Sequence, residues 1–360
     1  MERFSFKTTI ISGAGAVSAL AEFGAKRLFL VTDPFFMKNG TAGKLVSLAK
    51  CETHEIFDRV TPDPSVELVA EGTARVRRFQ PDMIVALGGG SAMDCAKAMA
   101  YFGQGDYLLA AIPTTSGSGS EVTDFAILTH DRVKHPLVDE RLRPDLAILD
   151  GDLLQSLPKA LIADSGFDIL TQALEACAAK NAGLFSLTLA REAFAAAFGG
   201  LPASYAGHTH VRLKIHQASA MAGMAFSQAG LGLCHALSHA LGGMFHVPHG
   251  RLNAVLLPAV VTINASAVPE RYAELARSAG LGGSADLVAI RNLKNGLIRL
   301  RKELNLPQTL LQAGISPRDL WAGMDQLVLS ALQDPCCKTN PISVDDFMVR
   351  RLLCEVSGRG

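Results

Sequence analysis

"DMIVALGGGSAMDCAK", residues 82–97, runs from an unbroken apolar stretch through three glycines into a segment with helical character. The apolar stretch is short and bounded by turn residues, so it reads as a strand buried on both faces. Gly88, Gly89 and Gly90 let the main chain approach a phosphate closely. The N–H groups and dipole at the start of the following helix favour its negative charge. Ser91 is placed to cap that helix and to offer a hydroxyl. The pattern is neither the G-x-G-x-x-G dinucleotide fingerprint nor a Walker loop.

Working outward, "RLFLVTD" (27–33), "LLAAIPTTSGSGS" (108–120) and "DLAILD" (145–150) repeat the strand-like pattern, and "SVELVAEGTARVRRF" (65–79) reads as a helix between two of them. Apolar strands alternating with helices predict a parallel sheet covered on both faces. Ligands of such sheets bind at the carboxyl ends of the strands. The loop "IPTTSGSGSEVT" (112–123) is dense in hydroxyls, and with the glycine loop it forms a candidate cradle for a dinucleotide. Asp33 closes its strand and can accept hydrogen bonds from a ribose 2′-OH while repelling a 2′-phosphate; its alternative reading is an N-cap before Pro34.

From about residue 159 the pattern changes. "SLTLAREAFAAAFGGL" (186–201) and "KIHQASAMAGMAFSQAGLGLCHALSHALGGMF" (214–245) are rich in Ala, Leu and Met. Such composition favours helix. Breaks are expected at Gly-Leu-Pro (200–202), Val-Pro-His-Gly (247–250) and Leu-Pro (306–307). A chain of 360 residues is also longer than one core usually supports. The expected fold is an α/β, Rossmann-like domain with a parallel sheet over residues 1–158, followed by an all-helical domain over residues 159–360.

Lys plus Arg, 34, equals Asp plus Glu, 34, so no global field favours nucleic acid or an anionic membrane. Seven cysteines without a C-x-x-C pair read as buried free thiols in a reducing compartment. No signal peptide is evident at the start, and no uninterrupted apolar stretch approaches the roughly 20 residues of a membrane span. A cytoplasmic protein is the expectation.

The second half carries the sharper chemistry. "GLCHALSHALGGMFHVPHG" (232–250) holds four of the ten histidines. His235 and His239 share a helix face, His249 follows a proline in the loop beyond, and His246 lies three residues before it. Converging imidazoles with a carboxylate suit Zn, Fe or Cu. "DSGFDILTQALEA" (164–176) supplies the carboxylate, Asp168, with Gln172 four residues on and on the same helix face.

Read together, "GGGSAMDCAK", "IPTTSGSGSEVT", "DILTQALEA", "MAFSQAGLGLCHALSHALGGMFHVPHG" and "NP" at 340–341 resemble the iron-containing (group III) alcohol dehydrogenases nearly end to end. The branch most resembled serves ethanolamine and propanediol utilisation. The resemblance implies an NAD(H)-dependent enzyme that interconverts ethanol or 1-propanol with the aldehyde, using a divalent metal, Fe(II) first and Zn(II) second. It implies metal ligands at Asp168, His235 and His249, a proton-relaying histidine at His239, and a polar residue near the nicotinamide and substrate at Asp94. Gly88 to Gly90 and Ser91 match its pyrophosphate loop, Thr114 and Thr115 its adenosine side, and Asp33 the acid that favours NAD over NADP. A homodimer and an association with other enzymes of a bacterial microcompartment are further implications.

The departure is Gln172, which stands where the family has its remaining histidine ligand. Its amide oxygen reaches about as far as an imidazole's outer nitrogen but is a weaker donor to transition metals. Three outcomes are open: Gln172 as a fourth ligand, three ligands plus water, or a metal-impaired paralogue that binds nucleotide or partner proteins. Dehydroquinate synthases and glycerol dehydrogenases share the architecture, and "FSQAGLGL" and "FHVPHG" lean away from both.

Overall fold

The computed structural model describes residues 4–131 and 133–358. The chain divides into two units, Ser5–Leu157 and the segment from Pro158 onward, with Phe4 belonging to the second.

In the first unit the strands are β1 (Thr9–Gly13), β2 (Arg27–Val31), β3 (Thr53–Phe57), β4 (Met83–Gly88), β5 (Leu108–Pro113), β6 (Phe125–His130), β7 (Val133–Val138) and β8 (Leu146–Asp150). Six of them form one sheet in the order β1-β8-β5-β4-β2-β3, with every neighbouring pair parallel, as the apolar runs predict. The helices are α1 (Pro34–Lys38), α2 (Thr41–Ala49), α3 (Val66–Phe79) and α4 (Gly90–Gly103). Alternate residues of a strand face opposite ways. Phe29, Val31, Ile84 and Ala86 therefore join one core with Val76 of α3 and Met99 of α4. Leu28, Leu30, Val85 and Leu87 join another with Leu45 of α2. Both faces are covered.

Sequence patterning did not mark β1, β3 or the antiparallel hairpin β6–β7. β1 and β3 are the sheet's edges, and each carries exposed positions that interrupt the apolar run. From β2 the chain pairs β3 on one side and then places β4 on the other. That reversal opens a crevice at the carboxyl ends of β2 and β4, the usual ligand position in such sheets.

The second unit is helical: α5 (Lys159–Ala178), α6 (Leu184–Ala206), α7 (Arg212–Ala229), α8 (Leu233–Phe245), α9 (His249–Asn264), α10 (Pro269–Ser278), α11 (Asp286–Glu303), α12 (Pro317–Ala322), α13 (Met324–Gln333), α14 (Cys336–Thr339) and α15 (Asp346–Val356). Two expected punctuations are corrected. The helix α6 runs through Pro202 to Ala206, so Gly-Leu-Pro does not end it. Packing against α5 and α7 outweighs the lost hydrogen bond. The stretch 214–245 is instead split at Gly230–Gly232. Gly230 has φ +90°, and a Cβ there would stand 2.6 Å from Thr339 side-chain atoms.

Among the described residues one helix, α6, is long and apolar enough to cross a membrane by length and composition, with mean hydropathy 1.2 and 33% of the window buried. Arg191 and Glu192 interrupt its apolar run, which is why the sequence showed no continuous span.

All seven cysteines are free thiols. Only Cys95, Cys177 and Cys234 are buried, and Cys354 is exposed, so the expectation that all are buried is corrected.

Candidate active site

Asp168, Gln172 and Glu175 fall at i, i+4 and i+7 along α5 and share one face. His235, in the first turn of α8, lies against that face. Its Nδ1 is 2.6 Å from Glu175 Oε2, and its Nε2 is 3.6 Å from Asp168 Oδ1. His249 is the first residue of α9 rather than a loop residue, and its Nε2 is 3.5 Å from the same Asp168 oxygen. Ligand atoms of Asp168, His235 and His249 all lie within 4.8 Å of one another. A Cβ at Gly250 would overlap the Asp164 carbonyl oxygen, so glycine is what lets α9 begin against α5.

Buried partners hold these groups in place. Asn253, one turn along α9 from His249, donates to Asp168 Oδ1 at 2.9 Å, and Ser238 Oγ donates to Asn253 Oδ1 at 2.5 Å. The start of α8 has no capping side chain of its own. Its N–H groups instead go to Glu175, which accepts from Gly232 and Cys234, and to Asn340, which accepts from Leu233. A Cβ at Gly232 would stand 2.8 Å from Glu175 Oε1 and 2.9 Å from Asn340 Oδ1, so only glycine fits between them.

The donor set fits a divalent cation on two grounds. Gln172 is buried, and its Oε1 has no hydrogen-bond partner among the described residues. An unsatisfied buried acceptor costs about 1–3 kcal/mol. Asp168 and Glu175 also bracket a single buried imidazole. Burial pushes the His235 pKa down, but hydrogen bonds and charge from Asp168 and Glu175 more than reverse this, and the net shift is upward. The pair demands a positive charge there, which a proton or a cation can supply. With Glu175 accepting from Nδ1–H, Nε2 presents its lone pair to the point where Asp168 and His249 converge.

The site is closed on the α5 side and open on the other. Side-chain exposure is 3% for His235 and 14% for Asp168, against 32% for His249 and 32% for His239. His239 stacks on His249, with ring centroids 5.1 Å apart. Its Nδ1 is 2.8 Å from Asp334 Oδ2. Burial raises the Asp334 pKa, but the hydrogen bond and charge of His239 overcome this and bring it to about 2, so the carboxylate stays ionised. Cys336 completes a second group with His239 and Asp334. His246 is not drawn in: it is exposed and ends α8 with φ +56°. Sequence reasoning missed Glu175, Asn253, Asp334 and Cys336. The first two had a signal, one helical turn from Gln172 and from His249; Asp334, 95 residues from His239, had none.

In the α/β unit, three adjacent strands present the other expected residues at their carboxyl ends. Gly88 closes β4 with φ +151°, and a Cβ there would stand 2.7 Å from Ala92 Cβ and 3.7 Å from Asp33 Oδ2. Asp33, after β2, caps α1 through Oδ1, accepting from Phe35 N at 2.8 Å. The capping role is therefore realised, with the second oxygen turned toward the glycine loop. The helix α4 begins at Gly90 with Gly89 as its N-cap, so Ser91 lies inside the first turn and is not the capping residue. The helix therefore starts two residues earlier than a Ser91 cap would set it.

After β5, Thr114 N donates to Gly88 O at 2.9 Å, and Thr115 Oγ1 is 3.4 Å from the place of a Gly89 Cβ. The two loops thus face each other. Asp94 is committed to holding the second one: Oδ1 accepts from Ser120 Oγ at 2.6 Å, and Oδ2 accepts from Ile127 N at 3.1 Å. Buried Lys97 donates to Ser120, Thr123 and the Phe125 carbonyl beside it.

A parallel sheet with this glycine loop and a helical unit with these converging ligands define a class. The chain belongs to the iron-containing alcohol dehydrogenase family: residues 7–151 match the iron-containing alcohol dehydrogenase profile, and residues 162–356 that of the Fe-containing alcohol dehydrogenase family, C-terminal. It is accordingly an oxidoreductase of that family. Among its relatives is the 1-propanol dehydrogenase PduQ of Salmonella typhimurium, 38% identical over 370 residues and covering 99% of this chain and 100% of that one. The NADPH-dependent butanol dehydrogenase of Clostridium saccharobutylicum is 35% identical, covering 98% of this chain and 97% of that protein. The structure of a sulfoacetaldehyde reductase from Bifidobacterium kashiwanohense in complex with NAD+ matches with TM-score 0.91 and 27% identity over 100% of both chains.

Proposed function

We propose that this protein is an NAD(H)-linked, metal-dependent dehydrogenase interconverting short primary alcohols, such as ethanol and 1-propanol, with their aldehydes. The observation that carries the reading is the convergence of Asp168, His235 and His249, one helical turn from buried Gln172, whose Oε1 has no hydrogen-bond partner among the described residues. These four residues would hold the cation, Fe(II) first and Zn(II) second. Similarity to a 1-propanol dehydrogenase supports the substrate class. The unit Ser5–Leu157 is assigned the dinucleotide, and the helical unit the metal and substrate.

When bound, the cation would serve to polarise the C–O bond of alcohol or aldehyde, and the nicotinamide to supply or accept the hydride. The chain's own residues do the rest. Glu175 and Asn253 fix the directions of His235 and Asp168. His239 lies on the open side, with Asp334 accepting from Nδ1–H, so its Nε2 is the atom that takes up or delivers the proton. His239→Ala is expected to lower kcat about 10²-fold with metal content unchanged. Turnover measured beside metal analysis checks this, and parallel loss of metal would place His239 among the ligands instead.

For the cofactor, Asp33 favours NAD although one relative is NADPH-dependent. A carboxylate and a 2′-phosphate about 4 Å apart repel by about 4 kcal/mol near a protein surface. After screening, Asp33→Ala is expected to raise kcat/KM for NADP+ relative to NAD+ by about ten-fold or more. An unchanged ratio would leave Asp33 as a helix cap only.

The reading as a whole is tested by the absorbance of reduced nicotinamide with propanal after anaerobic loading with Fe(II) or Zn(II). Oxidation of NADH is expected. Silence with both metals across short aldehydes and alcohols would overturn it.

A further inference from the structure

Asp168, Gln172 and Glu175 lie in one file along α5, and His235 spans them, with Nε2 toward Asp168 and Nδ1 on Glu175. Gln172 lies between those two along the same face. It is as buried as His235, at 3%, and its Oε1 has no hydrogen-bond partner among the described residues. A side-chain amide kept that deep would ordinarily satisfy its oxygen with an N–H or O–H. Ser238 and Asn253, the nearby polar groups of α8 and α9, are occupied with each other and with Asp168.

We propose that Gln172 Oε1 is the fourth protein donor of this centre, and that two oxygens with two imidazoles narrow its preference for Zn(II) over Mn(II) and Fe(II). The inference rests on the reading of the centre as a cation site given above. Imidazole nitrogen adds most to Zn(II) binding, whereas an amide or carboxylate oxygen serves the harder ions comparably well. Exchanging one imidazole for an amide oxygen therefore lowers affinity for Zn(II) more than for Mn(II). The chain takes Mn(II) or Fe(II) under conditions where a three-imidazole centre would fill with Zn(II).

The experiment is competition dialysis of full-length, metal-stripped protein against mixed Zn(II) and Mn(II), read by elemental analysis, on wild type, Gln172→His and Gln172→Glu. Melting curves show that each variant is folded. Losing even a partner of a metal ligand typically costs about 10- to 100-fold in affinity, and a ligand itself contributes at least as much. Because imidazole in place of the amide favours Zn(II) far more than Mn(II), Gln172→His is expected to raise the bound Zn:Mn ratio by about ten-fold or more. Gln172→Glu, nearly isosteric and anionic, is expected to raise Mn(II) affinity without raising that ratio. If wild type binds metal and all three proteins share one Zn:Mn ratio within about two-fold, Gln172 is not a ligand and the inference falls while the cation site stands. If wild type binds neither ion, the cation-site reading falls and this one with it.

Discussion

Asp168→Asn is expected to empty the metal centre and reduce kcat/KM by about 10³-fold or more, because polarisation of the substrate oxygen by a cation is worth several kcal/mol of transition-state stabilisation. The choice of asparagine matters. It keeps the size of the side chain and an oxygen for the Asn253 amide, which donates to Asp168 at 2.9 Å. What it removes is the negative charge that both His235 Nε2 and His249 Nε2 face at 3.6 and 3.5 Å. Metal content should fall from about one equivalent to a small fraction, with the helical circular dichroism signal unchanged. Full metal occupancy in the folded variant would mean that the cation sits elsewhere.

The second large effect belongs to a residue that binds neither metal nor substrate. Glu175 is 1% exposed and accepts from the N–H groups of Gly232 and Cys234 and from the ring of His235. Glu175→Ala strands those donors at the start of α8. Breaking a buried charged pair by removing one partner costs about 3–5 kcal/mol. For a domain of about 200 residues each kcal/mol lowers Tm by roughly 2–4 °C, so a drop on the order of 10 °C is expected. Losing the partner that orients a ligating imidazole should also weaken metal binding about 10- to 100-fold. Thermal melts with and without metal separate the two roles. A fall in Tm of the metal-free protein with unchanged metal affinity would make Glu175 a cap for α8 and nothing more.

Local rules explain what could be read from the letters. The strands β2, β4, β5 and β8 are nearly pure apolar runs, and they were visible because both their faces are buried. The edge strands β1 and β3 are half exposed and lacked that mark. His235 and His249 stood out through local density, and Asp168 through its position in a helix beside Gln172. Glu175 belongs to the same helical file, yet a search confined to ligands passes over a residue whose task is to hold one. Asp334 and Asn340 reach the site only through tertiary folding, from about 95 and 107 residues away. Asp33 had two readings at the sequence level, and the structure uses one oxygen for the helix cap and turns the other toward the glycine loop. Asp94 is anchored by Ser120 and Ile127, a use that a list of polar residues could not separate from a place near the substrate.

The proposed chemistry depends on one cation gripped by Asp168, Gln172, His235 and His249. Anomalous diffraction from crystals grown anaerobically with Fe(II) and recorded at the iron edge tests it most directly. A single strong peak within bonding distance of all four side chains is expected. A peak among His239, Asp334 and Cys336 instead, or no peak at all, would contradict it, and the second result would favour a chain that binds nucleotide or partner proteins without efficient catalysis.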